Sequence, residues 1–264
     1  MNPQTPRKSL WRRIGGALTA AGLAAVKFGA AAIGLLGKLK LLTTSGTMLV
    51  SIAAYSLIWG WKFAVGFVVL LLIHEMGHVI QLRREGIEAS APVFIPFLGA
   101  VVWARMLEGN ALAEARVGLA GPILGTIGAA LCVPIYLATD NDLFRALAYT
   151  GFILNLFNLA PVVPLDGGRA MAALSPKMWF VGFAILVAVT IVRPNPIMIL
   201  ILIFGALETW RRWKQLREHT EEQQEYYRVA PRHRFAVAAV FVGLAVALAI
   251  GIDLTHLPRT LDDV

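Results

Sequence analysis

Long apolar runs joined by short polar or Pro/Gly-rich segments make up most of this 264-residue chain. Residues 42–60 and 63–82 are each long enough to cross a bilayer as a helix. Gly60-Trp61-Lys62 reads as a short turn between them, with Trp59 and Trp61 at interface depth. Residues 114–138 predict a third span and 143–160 a fourth, which breaks at Pro161 and Pro164. The loop Thr139-Asp140-Asn141-Asp142 between them is acidic and suits the outer side. Residues 178–192 and 196–210 predict a short helical pair around Arg193-Pro194-Asn195-Pro196, and 235–253 the last span. The stretch from Glu208 to Arg228 is charged throughout and predicts a cytosolic helix with a solvated face. Within the third span, Gly121, Gly125 and Ala129 form a stripe of small residues that lets another helix come close, a packing feature.

Two apolar stretches do not fit the spanning pattern. Residues 91–107 are too short to span, and Pro92, Pro96 and Gly99 argue against one helix. They predict a membrane-dipping hairpin or loop. Non-helical backbone at that depth is tolerated only beside protein or a cavity, so the segment is a candidate lining of an active site. Residues 14–37, a Gly/Ala-rich run interrupted by Lys27, follow the basic start Arg7, Lys8, Arg12, Arg13. A signal peptide, a spanning helix and a helix lying in the interface compete there. Arg12-Arg13 is followed by Ile-Gly-Gly and resembles a twin-arginine signal only weakly, and spanning would put Lys38 and Lys40 outside and invert the rest, so the interfacial helix is preferred.

Composition agrees with an all-α polytopic membrane protein of about six to seven transmembrane helices. Hydrophobic residues make up 58% and charged residues 15%, against roughly half and a quarter in soluble domains. The net charge of +8 would invite a nucleic-acid reading in a soluble chain. Here the basic residues cluster at helix ends, which the positive-inside rule explains, so no nucleic-acid partner is expected. The single cysteine, Cys132, lies in an apolar run; it excludes an intramolecular disulfide and a cysteine-based zinc site. Three regions are expected: a basic N-terminus over 1–41, a core over 42–210, and a charged helix with a final span over 211–264.

The chemistry concentrates in the second span, at His74-Glu75-Met76-Gly77-His78. Residues four apart share a helix face, so His74 and His78 can point at one zinc ion. Glu75 lies off that axis, where it can act on a water as general base without ligating. Ionisable groups inside an apolar helix are costly and are functional by default. Catalytic zinc takes three protein ligands and keeps one open position. Gln81 and Arg84 stand where a metzincin has glycine and histidine, which excludes that class. Histidines 219, 233 and 256 fall outside the apolar spans, so the third ligand is sought among Glu108, Glu114, Asp166 and Glu208. The second and fourth spans both run toward the cytosol. His78 and His74 then lie about 7–8 and about 13 Å inside Arg83 along a helix rising 1.5 Å per residue. Asp166 precedes Arg169 by three positions and meets them near the same depth. Pro161 and Pro164 break the backbone there, and Gly167 and Gly168 are expected to free it so that the carboxylate can swing to a metal.

These residues carry a resemblance. His74-Glu75-Met76-Gly77-His78, followed by Asn158-Leu159-Ala160-Pro161-Val162-Val163-Pro164-Leu165-Asp166-Gly167-Gly168, resembles the site-2 protease family of intramembrane zinc metalloproteases. Gly118-Leu119-Ala120-Gly121-Pro122 resembles the start of that family's intermediate helix. The family commonly has asparagine a few residues after this Gly-Pro, where this chain has Gly125. The resemblance covers roughly residues 60–170. It implies His74, His78 and Asp166 as zinc ligands, Glu75 as the catalytic acid/base, and Asn158 as a polar group orienting substrate or stabilising the oxyanion. It also implies that the 91–107 segment holds substrate as an added strand.

The expected function is a zinc endopeptidase cutting peptide bonds within or near transmembrane segments of membrane-protein substrates, in the cell membrane, its site toward the cytosol. Two rivals are a different membrane zincin of the prenyl-protein endopeptidase type, with Glu208 as third ligand, and a non-catalytic metal-binding scaffold.

Overall fold

The computed structural model describes residues 44–97, 99–102, 110–175, 177–192, 196–217 and 220–256. The basic N-terminus, the 14–37 segment, Glu108, the 193–195 turn, His219 and the acidic C-terminus lie outside the described residues. The elements are α1 (Thr44–Trp59), α2 (Trp61–Arg84), β1 (Val93–Ile95), β2 (Gly99–Val101), α3 (Ala111–Thr139), α4 (Asp142–Asn158), α5 (Asp166–Leu174), α6 (Met178–Val192), α7 (Pro196–Arg217), α8 (Glu221–Tyr226) and α9 (Pro231–Thr255).

The described residues are mostly helical, and among them three helices are long and apolar enough to cross a membrane: α2, α3 and α9. Apolar side chains project outward from many helices; Leu57 is 89% exposed and Leu137 and Phe235 each 75%. Water would not tolerate so large an apolar surface, whereas lipid would. Helix boundaries follow local chemistry. Gly60 takes φ +79°, which lets the chain reverse between α1 and α2. Asn110 caps α3, its Oδ1 accepting from the Ala113 amide at 3.0 Å, and Asn141 caps α4 through the Leu143 amide at 3.0 Å.

Three helices form the frame of the site. On α2 and α4, Gly66 faces Leu147 and Leu70 faces Gly151, while His74 meets Asn155. The offset is constant, so α2 and α4 run parallel and in step. Helix α3 runs opposite to both: Gly77 abuts Ala120, and Ile73 lies against Gly128. A Cβ at Gly77 would collide with the Ala120 carbonyl, so α2 and α3 are in backbone contact just where the two histidines sit. Helix α9 joins the same core, placing Val237 and Leu248 in the cluster that holds Phe152 and Met171.

Within the 91–107 stretch, β1 and β2 pair as an antiparallel hairpin in which Val93 pairs with Val101 and Ile95 with Gly99; Leu98 and residues 103–107 lie outside the described residues. The hairpin is tied to α1 rather than floating: Thr47 Oγ1 accepts from the Phe94 amide at 3.1 Å, and Tyr55 Oη from the Phe97 amide at 3.0 Å. Tyr55 also packs edge-on against Phe67 of α2 and against Phe97.

Two expectations need correction. The charged segment is not one helix from Glu208: α7 continues the apolar 196–210 run as far as Arg217, and Thr220 then caps the separate α8. Its charges are not a merely solvated face either. Arg212 reaches Glu114 at 2.6 Å and Glu208 at 3.0 Å, and Tyr226 donates to Glu114. The other correction concerns Gly167 and Gly168. They lie inside α5 and do not loosen the backbone. A Cβ at Gly167 would strike the Leu159 carbonyl, and one at Gly168 the backbone of Val162 and Val163. They are small so that α5 can fold back onto the turn preceding it.

Candidate metal centre

Helix α2 brings His74 and His78 to one face, and the start of α5 brings Asp166 to meet them. Asp166 Oδ2 lies 3.1 Å from His74 Nε2 and 3.2 Å from His78 Nε2, and the two Nε2 atoms are 3.2 Å apart. Ligand atoms about 2.0–2.2 Å from a tetrahedral centre stand ~3.3–3.6 Å from one another, close to the spacing found here. Among the described residues, this is the only group of three or more His, Cys, Asp or Glu side chains that could hold a metal ion.

The outer nitrogens fix the tautomers. His78 Nδ1 lies 2.8 Å from the Val117 carbonyl, which can only accept, so Nδ1 carries the proton. His74 Nδ1 lies 2.8 Å from Asn155 Oδ1, and Asn155 Nδ2 donates to the Gly151 carbonyl at 2.7 Å. That second bond orients the amide, so His74 also carries its proton on Nδ1. Both Nε2 lone pairs therefore face each other and a carboxylate oxygen across 3.1–3.2 Å. Three electron-rich atoms so placed repel unless a cation or proton lies among them, and the donor set fits zinc.

The small-residue stripe on α3 does more than pack one helix on another. A Cβ at Gly121 would collide with His78 Nε2, and one at Gly125 with the Asn155 amide. The stripe therefore leaves room for site side chains. Glu75 follows His74 on α2 and is half-buried; His78, His74, Asp166 and Arg169 are the titratable groups around it. Asn158 is half-buried at the end of α4, nearly one turn past Asn155. The asparagine that touches the centre is Asn155, which sequence reasoning missed.

Of the other carboxylates considered, Glu114 is bonded to Arg212 and Tyr226, and Glu208 to Arg212. Burial first, and then the Glu114 carboxylate, push the Tyr226 phenol up. Arg212 also lies 4.7 Å from the centre of the Trp179 ring, whose Nε1 donates to the Gly168 carbonyl at 2.7 Å. The start of α5 is thus held from outside by α6 and α7. A cavity of about 400 Å³ opens beside it, between Pro164, Arg169, Phe204 and Glu208.

A His-Glu-x-x-His helix and a distant aspartate in a frame of apolar helices make a donor set suited to zinc. Comparison with known proteins agrees. The model of Peptidase family M50 matches residues 62–141, a range that contains His74, Glu75 and His78. The zinc metalloprotease MJ0392 of Methanocaldococcus jannaschii is 29% identical over 162 residues, 60% of this chain and 46% of its own. Rip3 of Mycobacterium tuberculosis, also named as a zinc metalloprotease, is 30% identical over 138 residues, 47% of this chain and 34% of its own. The chain spans less than half the length of these relatives. The resemblance to the site-2 proteases carried by the motifs is borne out by these matches.

Proposed function

We propose that this chain is an intramembrane zinc metalloendopeptidase that hydrolyses peptide bonds within or near transmembrane segments of other membrane proteins. The observation that carries the reading is the meeting of His74 Nε2, His78 Nε2 and Asp166 Oδ2 within hydrogen-bond distance, from two segments far apart in sequence. The names and family of the similar proteins point the same way.

In this reading His74, His78 and Asp166 hold the metal. Bound zinc supplies Lewis-acid polarisation of the scissile carbonyl and makes a water acidic enough to react near neutral pH. Glu75 takes the proton from the attacking water and returns it to the leaving amine, so the C–N bond breaks as a new C–O bond forms. Asn155 and the Val117 carbonyl keep both imidazoles in the tautomer that presents Nε2 inward. Asn158 takes the substrate-facing role that the resemblance implies. The hairpin of β1 and β2 receives a locally unwound substrate as an added strand, because a peptide bond inside a helix is shielded.

The shorter apolar helices α1, α4, α6 and α7 complete a bundle of six to seven spans with α2, α3 and α9. Residues 42–210 form the protease core in the cell membrane. Arg83, Arg84 and the basic 211–217 cluster lie on the cytosolic side, near the metal. The Glu208 rival is not favoured, since that carboxylate is engaged by Arg212. The test compares membrane-protein fragments in cells carrying the native chain and the Glu75→Gln variant. Fragments present only with the native chain are expected; identical fragment sets would overturn the reading.

A further inference from the structure

Asn155 is 2% exposed and belongs to neither ligand motif, yet it makes the only side-chain contact to His74 Nδ1 among the described residues. Its amide is fixed at both ends. Nδ2 donates to the Gly151 carbonyl one turn back, so Oδ1 cannot turn away from His74. The two histidines are thus held in different ways. His78 leans on a backbone carbonyl, that of Val117, which every residue possesses. His74 leans on a side chain, which only this residue supplies.

The opposing helix is shaped for that side chain. A Cβ built at Gly125 of α3 would collide with Asn155 Oδ1 and come within 2.8 Å of Nδ2 and 2.9 Å of Cγ. Glycine at 125 is therefore the counterpart of asparagine at 155. A side chain grown from 125 would start where the Asn155 amide now lies.

We infer that Asn155 is the positioning residue for His74, holding its ring and tautomer toward the metal from α4, and that Gly125 and Asn155 form one coupled unit across the α3–α4 seam. The inference rests on the zinc reading above. Removing the acceptor leaves the His74 Nδ1–H buried without a partner and the ring free to rotate, which weakens the ligand without deleting it. Loss of such an outer hydrogen bond typically costs 10–100-fold in metal affinity.

The test measures zinc affinity of the purified full-length chain in detergent, by competition with a chelating indicator, alongside thermal unfolding of the metal-free proteins. Asn155→Leu keeps the volume and removes the acceptor; it is expected to bind zinc about 10–100-fold more weakly. Asn155→Asp keeps an oxygen able to accept from Nδ1 and is expected to bind zinc more tightly than Asn155→Leu, a rescue that a space-filling role would not produce. Native affinity in Asn155→Leu would overturn the inference. Should Asn155→Leu not fold, Asn155→Gly and the exchange variant Asn155→Gly/Gly125→Asn decide. Tighter zinc binding by the exchange variant supports the inference, and equal binding by the two overturns it. A native chain that takes up no zinc at all would instead defeat the functional reading.

Discussion

Asp166 Oδ2 stands 3.1 Å from His74 Nε2, joining residues 92 positions apart in the chain. The contact closes a ring of three atoms that α2 alone leaves open. It also ties the strength of the centre to how firmly the first turn of α5 is held.

Asp166→Ala should therefore lower metal content as well as activity. Asp166→Glu should also do poorly, because an added methylene misplaces an oxygen that must sit about 2.0–2.2 Å from the ion. Metal analysis of the purified variants checks this. Full zinc occupancy in Asp166→Ala, with loss in Glu208→Ala, would reverse the assignment.

Glu75→Gln removes a base and no ligand. Zinc should stay bound while cleavage falls by about 10²–10⁴-fold, the usual contribution of general acid–base catalysis. Near-normal cleavage by the zinc-loaded variant would remove Glu75 from the mechanism.

The Glu114–Arg212 pair is nearly closed to solvent, with side chains 6% and 15% exposed. Deleting Arg212 strands the buried Glu114 carboxylate without a counter-ion, so Arg212→Ala should destabilise the protein by about 3–5 kcal/mol. Thermal unfolding in detergent measures it. Removing both with Glu114→Gln/Arg212→Met should cost less than the sum of the single changes, and simple additivity would show that the pair is not coupled.

Single cysteines placed in a Cys132→Ala background test orientation. Positions 84 and 169 should label only from the cytosolic side, and positions 140 and 142 only from the opposite side. Labelling of position 84 from outside would invert the arrangement.

The meeting of His74, His78 and Asp166 was legible because much of its signal is local. Two histidines four apart on an apolar helix state their geometry in the sequence, and the Pro-rich approach to Asp166 marks a second special backbone. The parallel run of α2 and α4 followed from the charges at their ends, and the hairpin from Pro92, Pro96 and Gly99. Asn155 was not legible. Its partner lies 81 residues away, so no spacing betrays it, and the asparagine that stands in the recognisable motif is Asn158. The role of the α3 glycines was half legible. Their period shows that something comes close, but not that it is an imidazole and an amide rather than a bare helix. The charged C-terminal stretch misled because charge density alone does not distinguish a solvated face from the buried Arg212 cluster, which only the partners Glu114 and Tyr226 reveal.

The crowding around Gly77, Gly121, Gly125, Gly167 and Gly168 has a genetic consequence. Every one-base missense change in a glycine codon yields a residue with a Cβ, so at these positions no conservative allele is one mutation away. In a random mutant library screened for lost proteolysis, inactivating alleles should pile up at these glycines as densely as at His74, Glu75, His78 and Asp166. Gly243, where a Cβ would meet nothing within 4 Å and the backbone is ordinary helix, should stay sparse in such a screen. The map of alleles would then trace the closest helix contacts of the fold without any structural measurement.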